Sequence, residues 1–380
     1  MYKWRHSLPD NHWPVVVIRD PELLKKILAK DFEHFLNHKS SFGSGLINLT
    51  GNLLSRGDSG IKDMRSTLSP AFTSSKIRLM MPFIVEVGDQ MLKSYIEIDA
   101  RDLMCRNTND IIASCAFGVE VNSHVDENNE FYSMGRDVFR FTYKSLLLAF
   151  AYSTFPKKLN VKFLPTPAQD FFEGLVLSSM KERKAKNIVR HDMIHLLMEA
   201  KNDTQDVGIE FATVQESDVG KRQVDRVWTD DDLVAQAMTF FFAGFEAVST
   251  VMVFALFELA ANPGVQDKLV QEIRDTYKKN DGQINYYSIQ RMNYMDMVVS
   301  EVLRLYPTLI STDRSCTKDY NLGRPKGVVI PIWAIHRSPE FFPDPLKFDP
   351  ERFSEENKRN IKPYTYMPFG LGPRSCIGDK

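Results

Sequence analysis

Of the four cysteines in the chain, one stands where chemistry can be built. Cys376 lies in Pro368-Phe369-Gly370-Leu371-Gly372-Pro373-Arg374-Ser375-Cys376-Ile377-Gly378, a glycine-rich loop beside an arginine. Glycine lets backbone N–H groups turn inward and approach a ligand closely. Such groups, with Arg374, would stabilise a thiolate, which suits either a metal or nucleophilic attack. The plainer alternative is a buried free cysteine packing as a small hydrophobe. A nucleophile would want a histidine and an oxyanion site close by in space, and that alternative stays open. A second candidate is Glu246, an acid inside the apolar run Phe240 to Phe257, where an isolated acid is more often paired or functional than accidental. A third is Glu301-Val302-Leu303-Arg304. Acid and base three apart make an ordinary helix-surface pair. The apolar neighbours Val302, Leu303 and Leu305 suggest instead a partly buried pair, which a third charge such as Arg352 would help to satisfy.

The elements that must hold these residues read mostly as helix. Pro14 to Ile18 reads as a strand, and Asp20-Pro21-Glu22 opens a helix with proline and acid in its first turn. After a Gly/Ser-rich stretch from residue 40 to 60, a helical pattern runs to about Ala200, with residues 111–117 its most buried-looking piece. Residues 201–228 are polar and acidic, as in a surface connection. The strongest element spans Asp230 to Ala261, with Thr229 and Asp232 at its start and Asn262-Pro263-Gly264 as its stop. It would be about 48 Å long, and its middle is apolar nearly all round, so it must lie inside something. A membrane span competes, but Glu246 and Glu258 are costly in lipid, which favours a central core helix. A helix ending at Tyr306-Pro307, a strand around Val328 to Ile332 and a buried, shaped coil from Pro339 to Gly378 follow.

Length and composition bound the class. The chain has 380 residues with a net charge of -1, so no global field attracts nucleic acid. Four scattered cysteines with no CxxC pair exclude a disulfide scaffold and a zinc ribbon. The start of the chain is polar and broken by Pro9 and Pro14, and the stretch Leu146 to Tyr152 is too short to cross a bilayer.

The cysteine loop fits F-x-x-G-x-R-x-C-x-G at Phe369, Gly372, Arg374, Cys376 and Gly378. That pattern resembles the haem-binding signature of the cytochrome P450 monooxygenases. Three further stretches match in the family's order: Glu301 to Arg304 as E-x-x-R, Pro350-Glu351-Arg352-Phe353 as P-E-R-F, and Ala243-Gly244-Phe245-Glu246 as A-G-x-[D/E]. Asp313-Arg314 and His336-Arg337 look like the insect microsomal members that handle foreign compounds. The resemblance covers nearly the whole chain and implies one P450 domain over residues 1–380, mainly α with a small β region. It implies haem b held by Cys376 as axial ligand, with Phe369, Gly372 and Gly378 shaping the loop. Arg374, Arg65 and Arg314 would meet the propionates, and Glu301, Arg304 and Arg352 would form a structural network. Ala243 and Gly244 would make an oxygen notch, with Glu246 as the acid for proton delivery. Glycine in an apolar helix also marks close packing with another helix. The implied partners are an NADPH–cytochrome reductase, cytochrome b5 and a small lipophilic substrate, and the implied place is the cytosolic face of the endoplasmic reticulum membrane. The methionines and phenylalanines would serve mostly as ordinary core, with some lining an adaptable pocket.

The sequence departs from the family in places. Ala247 stands where a threonine is usual, and Ser249 and Thr250 follow two and three residues on. Ile61 replaces the usual tryptophan, removing an N–H donor. The stretch 319–327 looks short, the apolar N-terminal anchor is not seen, and the helix that follows the cysteine loop is cut at Lys380. These departures lead to the expectation of a fold incomplete at both ends. They keep two rivals in view: a haem-dependent isomerase or dehydratase, and a non-catalytic remnant that retains no haem.

Overall fold

The computed structural model describes residues 15–38, 65, 69–93, 99–139, 166–190, 192–202, 229–317, 320 and 327–379. Ile61, the Gly/Ser-rich stretch, Leu146 to Tyr152, residues 203–228 and nearly all of 319–327 lie outside them. Strand β1 (Val15–Val17) is followed by helix α1 (Pro21–Lys25), whose Asp20 cap accepts from the Leu23 N–H at 2.8 Å. The helix widens into a π turn over Lys26–Lys30. Strands β2 (Thr312–Ser315) and β3 (Gly327–Ile330) complete a sheet of order β1-β3-β2. β1 runs parallel to β3, and β2 antiparallel, with Arg314 opposite Val328. The strand expected to reach Ile332 ends at Ile330. Pro331 breaks it, and α11 (Ile332–His336) begins at once.

The remaining helices are α2 (Ser74–Lys93), α3 (Ala100–Ile112), α4 (Glu130–Val138), α5 (Thr166–Lys186), α6 (Met193–Asn202), α7 (Asp230–Ala261), α8 (Pro263–Lys279), α9 (Tyr286–Ile289) and α10 (Asn293–Leu305). The β sheet is a minor part of this mostly helical architecture, as expected. α3 runs on as a π turn over Ala113–Phe117 and stops at Gly118, whose φ of +68° favours glycine. Beneath it the buried Arg183 grips Asp192 through two bonds of 2.6 and 2.7 Å, so a Cβ at Gly118 would stand 2.2 Å from the guanidinium.

Helix α7 starts and ends where the sequence places it, and the Thr229–Asp232 capping box is formed. Its first turns bury Leu233, Val234, Ala237, Met238 and Phe241 against α3, α5 and α6. Phe117, Phe131, Phe172 and Phe241 meet there edge-on or tilted, 4.5 to 6.2 Å apart, as core aromatics do. The middle is not enclosed on all sides, contrary to expectation: Ala243 is exposed, and Val248, Leu256 and Phe257 are 47, 42 and 59% exposed. Both glutamates of the helix have partners, which suits a helix set in protein. Glu246 meets Arg101 at 3.1 Å, and Glu258 accepts from Tyr306 Oη at 2.6 Å. Asn262-Pro263-Gly264 ends α7 as expected, and Pro263 is also the first residue of α8.

Candidate active site

The cysteine loop is seated on α1 and β3. Leu24, Ile27 and Leu28 of the first helical segment pack with Val328, Ile330, Ile332, Ile335 and Met367, and Leu371 of the loop joins them. Gly372 has φ +77°, and a Cβ there would come 1.9 Å from the Leu28 carbonyl oxygen, so only glycine fits. Gly370 also has a positive φ, +74°. Gly378 lies against Phe72, which in turn meets Phe240 of α7 at 5.4 Å between ring centroids. The Cys376 N–H donates to the Phe369 carbonyl at 2.7 Å, which closes the loop and leaves the cysteine exposed. Phe369 is exposed as well. The alternative of a buried inert cysteine therefore does not describe this loop. Among the described residues no cluster of histidine, cysteine and carboxylates could hold a metal ion by itself.

Three arginines converge on this region. Arg65 Nη1 donates to the Ser375 carbonyl at 2.7 Å, one residue before the cysteine. Arg374 Nε and Nη2 both donate to the Leu36 carbonyl, the former at 2.9 Å. Through these bonds Arg374 ties the loop to the segment after α1. Arg314, on β2, is buried. Its Nη1 donates to Thr312 Oγ1 at 3.1 Å and the Asp313 carbonyl at 2.6 Å, while its Nε has no partner among the described residues. Burial, and next the neighbouring Arg374 charge, pull the Arg314 pKa down to about 10, with Asp313 offsetting part of this. A buried guanidinium beside a second one, with a spare donor, calls for an anion.

Behind the loop lies a closed polar lock. Glu301 and Arg304 of α10 are both fully buried, which removes the helix-surface alternative. Arg304 Nε and Nη2 grip the two Glu301 oxygens at 2.6 and 2.8 Å. Its remaining donors meet the carbonyls of His336 and Pro345 at 2.8 Å and Lys347 at 3.3 Å. Glu301 Oε1 also accepts from the Asp349 N–H at 2.9 Å and lies 3.4 Å from Arg352 Nε. Arg352 Nη2 donates to the Asp344 carbonyl. The network named from sequence is thus brought together, and it braces the irregular stretch in which Phe342, Phe348, Phe353 and Met367 are buried.

On α7 the expected residues diverge. A Cβ on Gly244 would lie 2.8 Å from Ile112 Cδ1, so this glycine serves close packing against α3. The open position beside it is Ala243. Ala243, Ala247 and Thr250 share one helical face by their spacing. Ser249 does not: it is buried, and its Oγ donates to the Phe245 carbonyl at 2.7 Å. Glu246 opens on a pocket of about 290 Å³ lined by Arg101, Asp102, Cys105, Tyr132 and Arg136. Arg101, 145 residues away, is a partner that no local spacing announces.

The residues present fit a haem. An exposed cysteine on a glycine cradle offers a soft sulfur donor for iron, and the orphaned Arg314 Nε beside Arg374 offers charge-assisted bonds for carboxylates. Comparison with known proteins agrees. A model of the family described as Cytochrome P450 matches residues 7–380. Cytochrome P450 9e2 of Blattella germanica is 44% identical over 408 residues, covering 97% of this chain and 74% of that protein. Probable cytochrome P450 9f2 of Drosophila melanogaster is 42% identical over 397 residues, covering 97% and 75%. Probable cytochrome P450 6a13 of the same fly is 38% identical, covering 96% and 73%. One match thus runs through the cysteine loop, the arginines and the buried lock alike, and this chain belongs to the cytochrome P450 family of haem-dependent monooxygenases.

Proposed function

We propose that the Cys376 sulfur would ligate the haem iron and that Arg314 and Arg374 would bind the propionates, with Arg65 fixing the loop between them. Haem held by a cysteinate supplies the oxygen-activating chemistry, because the thiolate pushes electron density toward the iron. The chain's own contribution is placement. Gly372 lets the loop press against Leu28, and the Glu301–Arg304–Arg352 lock holds the stretch leading into the loop. The face of α7 carrying Ala243, Ala247 and Thr250 borders the reaction space. Glu246, tied to Arg101 and open to solvent, is the acid that takes up protons from water.

Small lipophilic compounds, foreign or endogenous, are the substrates. The support is uncovered apolar surface at Ala243, Val248, Leu309 and Ile310, which a lipophilic molecule would cover. Electrons come from NADPH through a separate flavoprotein reductase, with cytochrome b5 as a second donor, at the cytosolic face of the endoplasmic reticulum membrane. These finer assignments rest on the resemblance to the family.

The single observation that carries the reading is Arg314, buried and charged with its Nε unpartnered, beside Arg374. An Arg314→Met variant tests it in two directions. Without haem the variant should be about as stable as the parent or more so, since an incompletely compensated buried charge is removed. With haem it should release the group roughly tenfold faster or more. Unchanged haem release would remove the propionate assignment. Product formation dependent on oxygen, NADPH and added reductase would support the monooxygenase partners, and turnover without them would refute them.

A further inference from the structure

His336 has no part in the function argued so far, yet it is the fully buried joint between the lock and the cysteine loop. We propose that His336 is a positioning residue for Cys376: a neutral imidazole, protonated at Nδ1, that carries the geometry of the Glu301–Arg304 lock into the loop. The inference rests on the reading of Cys376 as haem ligand.

The hydrogen-bond chemistry leaves one tautomer. Nδ1 lies 3.2 Å from the Arg304 carbonyl, which can only accept, so Nδ1 carries the proton. Nε2 lies 2.9 Å from the Met367 N–H, which can only donate, so Nε2 is bare. An imidazolium would set two donors against each other at Met367. The clasp is reciprocal, because Arg304 Nη1 donates back to the His336 carbonyl at 2.8 Å. The ring has little freedom to turn. Tyr366 stacks on it at 5.5 Å and 28°, with its own hydroxyl donating to the Ser300 carbonyl, and Phe342 meets it edge-on at 6.4 Å.

On the far side the path enters the loop directly. The Met367 carbonyl accepts from Gly370 N–H at 3.0 Å, which forms the turn with Gly370 at positive φ. Phe369, inside that turn, accepts from the Cys376 N–H at 2.7 Å. Met367 is buried, so loss of Nε2 would orphan a backbone donor at the hinge of the cysteine loop. The Arg304 carbonyl stands in the last turn of α10, where no helical partner can replace Nδ1. Only a side chain carrying both an acceptor and a donor can serve. Glutamine has both, and phenylalanine has neither.

The test uses the full chain loaded with haem, as parent, His336→Gln, His336→Phe and a packing control, Phe342→Leu. Three quantities are read: the reduced, carbon-monoxide-bound spectrum per haem, thermal stability, and hydrogen exchange at Met367 and Gly370. The expected result is that His336→Phe shifts most of its bound haem from thiolate-type to non-thiolate absorbance. Its Met367 and Gly370 amides should exchange about tenfold faster or more. His336→Gln should restore most of the thiolate absorbance. Phe342→Leu should lose stability while keeping the thiolate spectrum. If His336→Phe does not fold, His336→Asn, too short to reach both partners, takes its place. A full thiolate spectrum and unchanged exchange in the phenylalanine or asparagine variant would overturn the proposal. So would a Phe342→Leu variant that loses the thiolate signal in step with its stability. If the parent itself shows no thiolate signal, the reading of Cys376 fails, and the exchange data still decide whether His336 holds the loop.

Discussion

Removing Arg304 should be among the most damaging single changes in this protein, and the size of the effect can be worked from its contacts. The side chain holds both oxygens of a fully buried Glu301 and three backbone carbonyls. Breaking a buried ion pair by deleting one partner costs about 3–5 kcal/mol, because the surviving charge is left without compensation. Each carbonyl that loses its donor adds about 1–3 kcal/mol where water cannot enter. Arg304→Ala should therefore lose at least about 4 kcal/mol, a large part of the roughly 5–15 kcal/mol that holds a typical domain folded. Arg304→Lys keeps the charge but not the planar fork and should fall between parent and alanine. A Glu301→Leu/Arg304→Met pair should cost less than the sum of its single changes, since neither buried charge is then stranded. Urea unfolding followed by tryptophan fluorescence and haem absorbance measures all of these. An Arg304→Ala midpoint within about 1 kcal/mol of the parent, or strict additivity of the pair, would refute the reasoning.

Other outcomes follow from single sites. Burial, partly offset by the Arg304 carbonyl, pushes the His336 pKa down to about 4 from an ordinary value of 6.5. The unfolded chain thus binds a proton that the fold refuses between about pH 6.5 and 4. Stability should fall through that window as pH drops, by about 3 kcal/mol at most. His336→Gln should flatten that part of a pH series of unfolding midpoints; an unchanged slope would contradict the assignment. Gly372→Ala should sharply reduce haem incorporation, because its Cβ would strike the Leu28 carbonyl in a left-handed conformation. Gly174→Ala, in an exposed turn of α5 with nothing within 4 Å, should instead stabilise by about 0.5–1 kcal/mol in thermal unfolding. Glu272→Gln should cost about 1 kcal/mol in urea unfolding, since Glu272 accepts from the Tyr294 and Met295 N–H groups at the start of α10.

What the sequence discloses here depends on whether a feature is local. Helix α7 is legible end to end, because its cap, apolar run and terminator lie within the element itself. The Glu301–Arg304 pair is visible as a spacing, but its complete burial depends on carbonyls of residues 336, 345 and 347. Pro263 reads as a stop, and the amphipathic helix it opens goes unread behind that signal. Gly244 carries two meanings in an apolar helix, and its packing role becomes visible only from the position of Ile112 on α3. The partners of Glu246, Arg65 and Arg374 lie 145, 310 and 338 residues away, beyond any periodicity. His336 stands beside Arg337 in the sequence as part of a family-like pair. Its two bonds, 32 residues back and 31 forward, are what single it out.

The most direct measurement is the reduced, carbon-monoxide-bound difference spectrum of the haem-supplied chain beside its Cys376→Ser variant. Thiolate-type absorbance in the parent that vanishes in the serine variant is the predicted result. The same absorbance persisting without the Cys376 sulfur would contradict the account.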